Sequence, residues 1–311
     1  MTMASRALIV MMTCVLAGLP ARAAGRFALE QAADGIHVHR GQQAESSPEN
    51  GGDIANIGFI VGKRCIAVID TGGTAGIGRD LLMAIRQTSR LPICYVINTH
   101  VHPDHAFGDS AFKDSGAEFV AHASFPAALA ARHDGYQSRL AQTLGDVADG
   151  SDIVVPSRVV ATDDTLQLDL GGRTIRVQAW PTAHTDHDVT VFDEQTATLW
   201  TGDLLFVDRI PVIDGKVVGW VKVIERLRAL KPAHLIPGHG PINRPFETAF
   251  DSEKNYLNNV ITKMRSAVEM GRTLQAAVDS DSDSDEHAHW ILFDDYHRRN
   301  LTAAYTELEW E

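Results

Sequence analysis

The chain has 311 residues, with 28 Lys and Arg against 40 Asp and Glu, a formal charge of −12 at neutral pH. A surface this acidic repels phosphate backbones and excludes nucleic acid as a partner, while metal cations and basic proteins stay open to it. With 44% apolar residues and no long Gly/Ser linker, the length suits one large α/β domain carrying a helical appendage.

Residues 1–23 read as a secretory signal peptide: Arg6 is basic, 7–19 is apolar, and small residues Ala21 and Ala23 stand before a cleavage point near Ala24. The apolar run falls short of the roughly 20 residues a membrane-spanning helix needs, so no membrane anchor is expected. The mature chain is expected to be periplasmic or secreted. Loss of Arg6 and Arg22 leaves 26 basic residues against 40 acidic, a formal charge of −14. Only Cys65 and Cys94 remain after cleavage. They allow one disulfide in an oxidising compartment, although their apolar, strand-like settings favour two buried thiols, and no cysteine-based metal site can be built from them.

After a short segment at 27–40 and a polar, Gly-rich loop at 41–53, strands are expected at 57–61 and 65–70, with Gly62-Lys63 as a tight turn. Asp70-Thr71-Gly72-Gly73 closes the second strand. Helical spacing follows over 78–88 through Leu81, Leu82 and Ile85, then a strand from Ile93, a His-rich loop, a helix after Pro103, a strand at 118–121 and an Ala-rich helix over 125–144. A second strand-rich half takes 165–170, 174–179, 189–192 and 198–201, then a helix over 220–230 and a strand at 234–236. Helices then run over 246–270 and to the C-terminus. The acidic stretch 279–286 lacks the Gly and the terminal Glu of a calcium loop and reads as a solvated linker. Two β-rich halves, each with helices, predict an α/β fold: a four-layer αββα sandwich over 24–245, with C-terminal helices of 246–311 packed on the same domain. Trp180, Trp200 and Trp220 are expected to pack the core.

Asn98-Thr99-His100-Val101-His102-Pro103-Asp104-His105 places three imidazoles and a carboxylate within six positions after an apolar strand. Alternation puts His100 and His102 on one side of the chain, where both reach one ion. Asp104 and His105 fall at the first turn of the next helix and can hold a second ion. Three later segments each set a metal-capable side chain after a strand: Ala183-His184-Thr185, Thr201-Gly202-Asp203, and Gly238-His239-Gly240. The seven partition into two ions, with His100, His102 and His184 on one, Asp104, His105 and His239 on the other, and Asp203 between them. His122 and His187 are expected to support or flank the site; the remaining histidines are read as structural or exposed.

His-x-His-x-Asp-His, the lone His184, Thr-Gly-Asp and Gly-His-Gly, in this order, resemble the metallo-β-lactamase superfamily. The resemblance implies the αββα fold and a hydrolytic centre with two zinc ions as cofactors, iron or manganese being the alternatives. Thr201-Gly202-Asp203-Leu204-Leu205-Phe206 resembles the glyoxalase II type, in which an Asp bridges the ions. Phe206 stands where one lactamase class carries a Lys that grips the antibiotic carboxylate. Residues 49–62 and Tyr296-His297-Arg298-Arg299-Asn300 are similar to exported quinoprotein relay system or SoxH-like zinc metallohydrolases, which implies a periplasmic dehydrogenase or cytochrome as a partner.

The reaction expected on these grounds is hydrolysis of a small-molecule ester or thioester. The nucleophile is a hydroxide shared by the ions and oriented by Asp104, the catalytic residue. Alternatives are β-lactamase-like amide hydrolysis, a mononuclear iron dioxygenase, and an accessory factor of a periplasmic quinoprotein dehydrogenase system.

Overall fold

The computed structural model describes residues 27–281 and 285–311. The signal-peptide reading and the centre of the acidic stretch, residues 282–284, lie outside them. A seven-stranded sheet runs in sequence order through β1 (Glu30–Ala33), β2 (Ile36–His39), β3 (Ile57–Val61), β4 (Ile66–Ile69), β5 (Ile93–Ile97), β6 (Glu118–His122) and β7 (Arg158–Val160). A five-stranded sheet holds β8 (Thr165–Asp169), β9 (Thr174–Ala179), β10 (Val189–Asp193), β11 (Thr198–Phe206) and β12 (His234–His239), with β12 at the edge beside β11. The helices are α1 (Ala75–Thr88), α2 (Pro103–Ala106), α3 (Phe125–Leu144), α4 (Val217–Arg228), α5 (Phe246–Glu269), α6 (Leu274–Asp279) and α7 (Phe293–Leu308).

The sequences of the strands explain the layering. β4 is apolar at every position and buried on both faces, as a strand between two covering layers must be. Ala67 and Ile69 meet Ile175, Val177, Val191 and Trp200 of the second sheet in the central core. Ile66 and Val68 face the other way, against Ile77, Leu81 and Ile85 on one side of α1. The Thr74 hydroxyl caps that helix by accepting from the Ile77 amide. Beyond the second sheet, Leu199 and Leu235 pack against Trp220 and Leu227 of α4, Leu257 of α5 and Leu301 of α7. The order is helices, sheet, sheet, helices, as expected, with the C-terminal helices on the outer face of the second sheet. All three tryptophans named above are buried.

The structure departs from the sequence reading in several places. The β1–β2 hairpin and β7 are strands the hydrophobic pattern did not reveal, because each is only three or four residues long. β11 continues to Phe206 and β12 to His239, so Asp203 and His239 lie within strands rather than after them. Cys65 and Cys94 form a disulfide with Cα atoms 5.7 Å apart, which corrects the preference for two buried thiols. The parallel ladder sets Ile66 against Ile93, and this carries Cys65, just before β4, beside Cys94 of β5. Among the described residues, no helix is long and apolar enough to cross a membrane.

Candidate metal centre

The seven predicted side chains converge at one end of the sandwich. His100 and His102 follow β5, Asp104 and His105 lie in α2, His184 is in the β9–β10 connection, Asp203 is on β11 and His239 ends β12. His102 Nδ1 stands 3.0 Å from His100 Nε2 and 3.1 Å from His184 Nε2. Asp203 Oδ2 closes this group at 3.7 Å from His100 Nε2 and 3.5 Å from His184 Nε2. The other oxygen, Asp203 Oδ1, faces the second group, 3.1 Å from His105 Nε2 and 3.4 Å from His239 Nε2. Asp104 Oδ2 completes that group, 3.7 Å from His105 Nε2 and 3.3 Å from His239 Nε2. Each cluster could hold a metal ion; Asp203 belongs to the first, and its Oδ1 also approaches the second.

The donor chemistry fits cations. Around a tetrahedral zinc with bonds of about 2.0–2.1 Å, ligand atoms stand about 3.3 Å apart, close to the spacing in the first group. His105 Nε2 and Asp203 Oδ1 are buried without a hydrogen-bond partner despite their proximity, and a shared positive ion is what such orphaned acceptors lack. Burial pulls the His184 pKa down to about 4 and holds His100 well below the usual value. Metals bind the neutral imidazole. Burial alone would raise Asp203, but His239 and His105 outweigh it and hold the carboxyl well below its ordinary range.

Each ring is oriented from behind. His105 Nδ1 lies 2.8 Å from Asp70 Oδ2. The same oxygen accepts from the Thr99 hydroxyl at 2.8 Å, which lies 3.0 Å from His100 Nδ1, and Asp70 Oδ1 accepts from the Thr99 amide at 2.8 Å. His184 Nδ1 donates to the Val212 carbonyl at 2.7 Å. His102 Nε2 meets Asp214 Oδ2 at 3.0 Å, and His239 Nδ1 meets the Ile54 carbonyl at 2.8 Å. Such partners fix the tautomer and aim the opposite nitrogen into the cluster, where a metal would bind. Sequence reasoning passed over Asp70, Val212 and Asp214. Asp70 carried a signal, an acid closing an apolar strand in Asp-Thr-Gly-Gly, whereas Val212 acts through its backbone and Asp214 through a loop.

Of the flanking histidines, His122 accepts from the Ser124 amide at 2.9 Å and sits outside both groups. The His187 ring stacks 6.5 Å from that of His100, and burial pushes its pKa down to about 2; neither contributes to the clusters.

The centre opens into a cavity of about 540 Å³. His102, Asp104, His184, Asp203 and His239 form its floor. The side chain of Asp104 is 17% exposed against 5% for Asp203, so of the two cluster carboxylates Asp104 is the more open to the cavity.

The comparisons agree with this geometry. Residues 50–239, more than half of the chain, match the model of the metallo-beta-lactamase superfamily. A metallo-beta-lactamase from Pontibacter korlensis superposes with a TM-score of 0.60 at 21% identity, covering 75% of this chain and 99% of that one. A stereoselective inverting sec-alkylsulfatase from Pseudomonas sp. gives a TM-score of 0.70 at 18% identity, over 90% of this chain and 50% of its own. A metallo-beta-lactamase from Hirschia baltica gives 0.57 at 18% identity, over 74% of this chain and 97% of its own. With the two His/Asp clusters and the two-sheet sandwich that carries them, these matches establish that the chain belongs to the metallo-beta-lactamase superfamily, whose members are metal-dependent hydrolases.

Proposed function

We propose that the protein is an exported di-zinc hydrolase that cleaves the carbonyl of a small ester or thioester. The observation that carries this reading is Asp203, whose two oxygens face two different groups of ligands. Zinc ions held by His100, His102 and His184, and by Asp104, His105 and His239, would supply Lewis acidity and lower the pKa of water from about 15.7 to near 7.

The chain's own groups then do the following. Asp104, open to the cavity, accepts a hydrogen bond from the attacking water and orients it. Asp214 and the Val212 carbonyl hold His102 and His184 in place, so the site is organised before substrate arrives. Attack at the carbonyl carbon breaks the C–O or C–S bond, and the alcohol or thiol leaves with a proton from the water. The cavity volume suits a small molecule. Thr201-Gly202-Asp203 and Phe206 favour the ester or thioester over the lactam.

Export is supported by the signal-peptide reading and by the Cys65–Cys94 bond, which calls for an oxidising compartment. The finer resemblance to quinoprotein relay or SoxH-like hydrolases makes a periplasmic dehydrogenase or cytochrome the proposed partner.

The test is metal analysis of protein matured in a bacterial periplasm, with thioesters, esters, lactones and β-lactams screened against the zinc-loaded form. About two zinc ions per chain and thioester or ester turnover are expected. One iron per chain with oxygen uptake would replace this reading with the dioxygenase. Co-purification with a dehydrogenase and no turnover would replace it with the accessory factor.

A further inference from the structure

We infer that the cavity wall beside His239 is a carboxylate-binding subsite built by Arg209 and Tyr296, and that the substrate of the proposed hydrolase carries an anionic group that this subsite grips. The inference rests on the hydrolase reading for what is cleaved, and on Arg209 alone for what is recognised.

Arg209 lines the cavity, yet its side chain is only 3% exposed. A guanidinium has five N–H donors and stays charged, and burying one without acceptors is costly. Its Nε has no hydrogen-bond partner. Its Nη1 lies 3.0 Å from His239 Nδ1, but that nitrogen is also 2.8 Å from the Ile54 carbonyl. One ring nitrogen cannot donate to the carbonyl and accept from Arg209 together. With Nε2 turned to the metal group, Nδ1 bears the proton and donates to Ile54, so it offers Arg209 nothing. What remains is Glu45, 3.5 Å from Nη2 and 51% exposed on its loop, and the face of the Tyr296 ring, whose centre is 6.0 Å from the guanidinium carbon and which offers no carboxylate acceptor.

Glu45 shows what the subsite takes. Its Oε1 accepts from the Tyr296 hydroxyl at 2.7 Å, so one carboxylate oxygen stands between a phenol donor and a buried guanidinium. A planar carboxylate reaching in from the cavity would find the same phenol and the planar fork of Arg209, a bidentate match that a loop carboxylate at 3.5 Å does not make. Arg132, Arg139 and Arg299 also line this cavity, so with Arg209 its four arginines match its four acids, Glu45, Asp104, Asp203 and Asp214, in a chain where acids outnumber bases 40 to 28. Glu45 and Tyr296 lie outside residues 50–239 matched by the family model and Arg209 lies inside them, so the wall joins the matched domain to the chain's flanking segments.

The test compares two matched pairs of thioesters with the zinc-loaded protein. In one the acyl group is glutaryl or hexanoyl; in the other an acetyl thioester is made with 3-mercaptopropionate or butanethiol. In at least one pair the charged member should be preferred about 10-fold or more, mainly through KM, as expected of a charge-assisted pair. Arg209→Gln should bring that ratio to about one, and Glu45→Gln, which removes the competing carboxylate, should raise it. That opposite response is one that misfolding does not mimic. Equal use of charged and neutral members by the native protein, or a preference that survives Arg209→Gln, overturns the subsite and leaves the hydrolase standing. If no thioester is cleaved, the ester screen decides the hydrolase separately, and calorimetric binding of glutarate decides the subsite. Binding lost in Arg209→Gln supports the subsite, and equal binding by both proteins overturns it.

Discussion

Gly238 lies against Asp203 so closely that a β-carbon on the glycine would stand 2.0 Å from Asp203 Oδ1 and 2.9 Å from its amide nitrogen. The neighbouring strands β11 and β12 can therefore approach closely enough for His239 and Asp203 to share a site only if this position has no side chain. Gly238→Ala is expected to push the carboxylate off both groups. Metal content should fall below two ions per chain and turnover by at least about 10- to 100-fold, the loss typical of disturbed metal-site partners. Asp203→Ala should do the same more directly. Elemental analysis alongside hydrolysis rates checks both, and full metal content with normal rates in either variant would count against the shared carboxylate.

Asp70 touches none of the expected ligand atoms, yet it holds two of the rings that carry them, directly at His105 and through the Thr99 hydroxyl at His100. Asp70→Ala should weaken zinc affinity by about 10- to 100-fold with all seven ligands intact. Competition with a chelator of known affinity measures this. Unchanged affinity would reduce Asp70 to a structural role.

Asn300 of α7 clamps the loop that supports the first group of histidines. Its side-chain amide donates to the Pro211 carbonyl at 2.6 Å and accepts from the Ile213 amide at 3.0 Å, on either side of the Val212 carbonyl that holds His184. Asn300→Leu should cost about 1–3 kcal/mol of stability from the stranded backbone groups. It should also alter the absorption spectrum of cobalt-substituted protein through His184 and His102. A destabilised variant with a native cobalt spectrum would show that the clamp serves only the fold.

Glu253 is fully buried on α5, accepts from the Phe206 amide at 2.9 Å through Oε1 and has no partner at Oε2. Burial raises its pKa well above the usual value, against the pull of the Phe206 hydrogen bond. Because the folded pKa exceeds the unfolded one, its contribution is fully present below the unfolded pKa and is lost as pH rises toward the folded pKa. Glu253→Gln imitates the protonated carboxyl and does not titrate. Relative to the native chain it should gain about 1.36 kcal/mol for each pH unit across that window, read from urea unfolding at pH 5, 6, 7 and 8. Parallel stability curves would show that Glu253 does not titrate there.

The residues of the two clusters were legible in the sequence because each is marked by its immediate neighbours: paired spacing at His100 and His102, Pro103 opening a helix before Asp104, and glycines flanking His239. The sandwich was legible from strands such as β4 and β9, whose apolar patterns declare two covered faces or one. The parts missed are set at a distance. The β1–β2 hairpin is too short to show a period, and β11 outruns its pattern because parallel pairing with β12 extends it. The Cys65–Cys94 bond depends on strand register across 29 residues. Arg209 stands in no motif, and its contacts with Glu45 and Tyr296 come from segments far from it in the chain.

Asn56, just before β3, ties the first sheet to the second at the centre itself. Its side-chain amide donates to the Pro237 and Gly240 carbonyls at 2.9 Å each, and its backbone amide donates to Gly238 at 2.8 Å. His239, between Gly238 and Gly240 at the end of β12, belongs to one half of the molecule, and its companion His105 to the other. An ion gripped by both would act as a rivet through the seam between the halves, so chelation should loosen the joint before it melts either side. Hydrogen exchange would then quicken first along residues 54–58 and 236–240, far sooner than within β9 or α1.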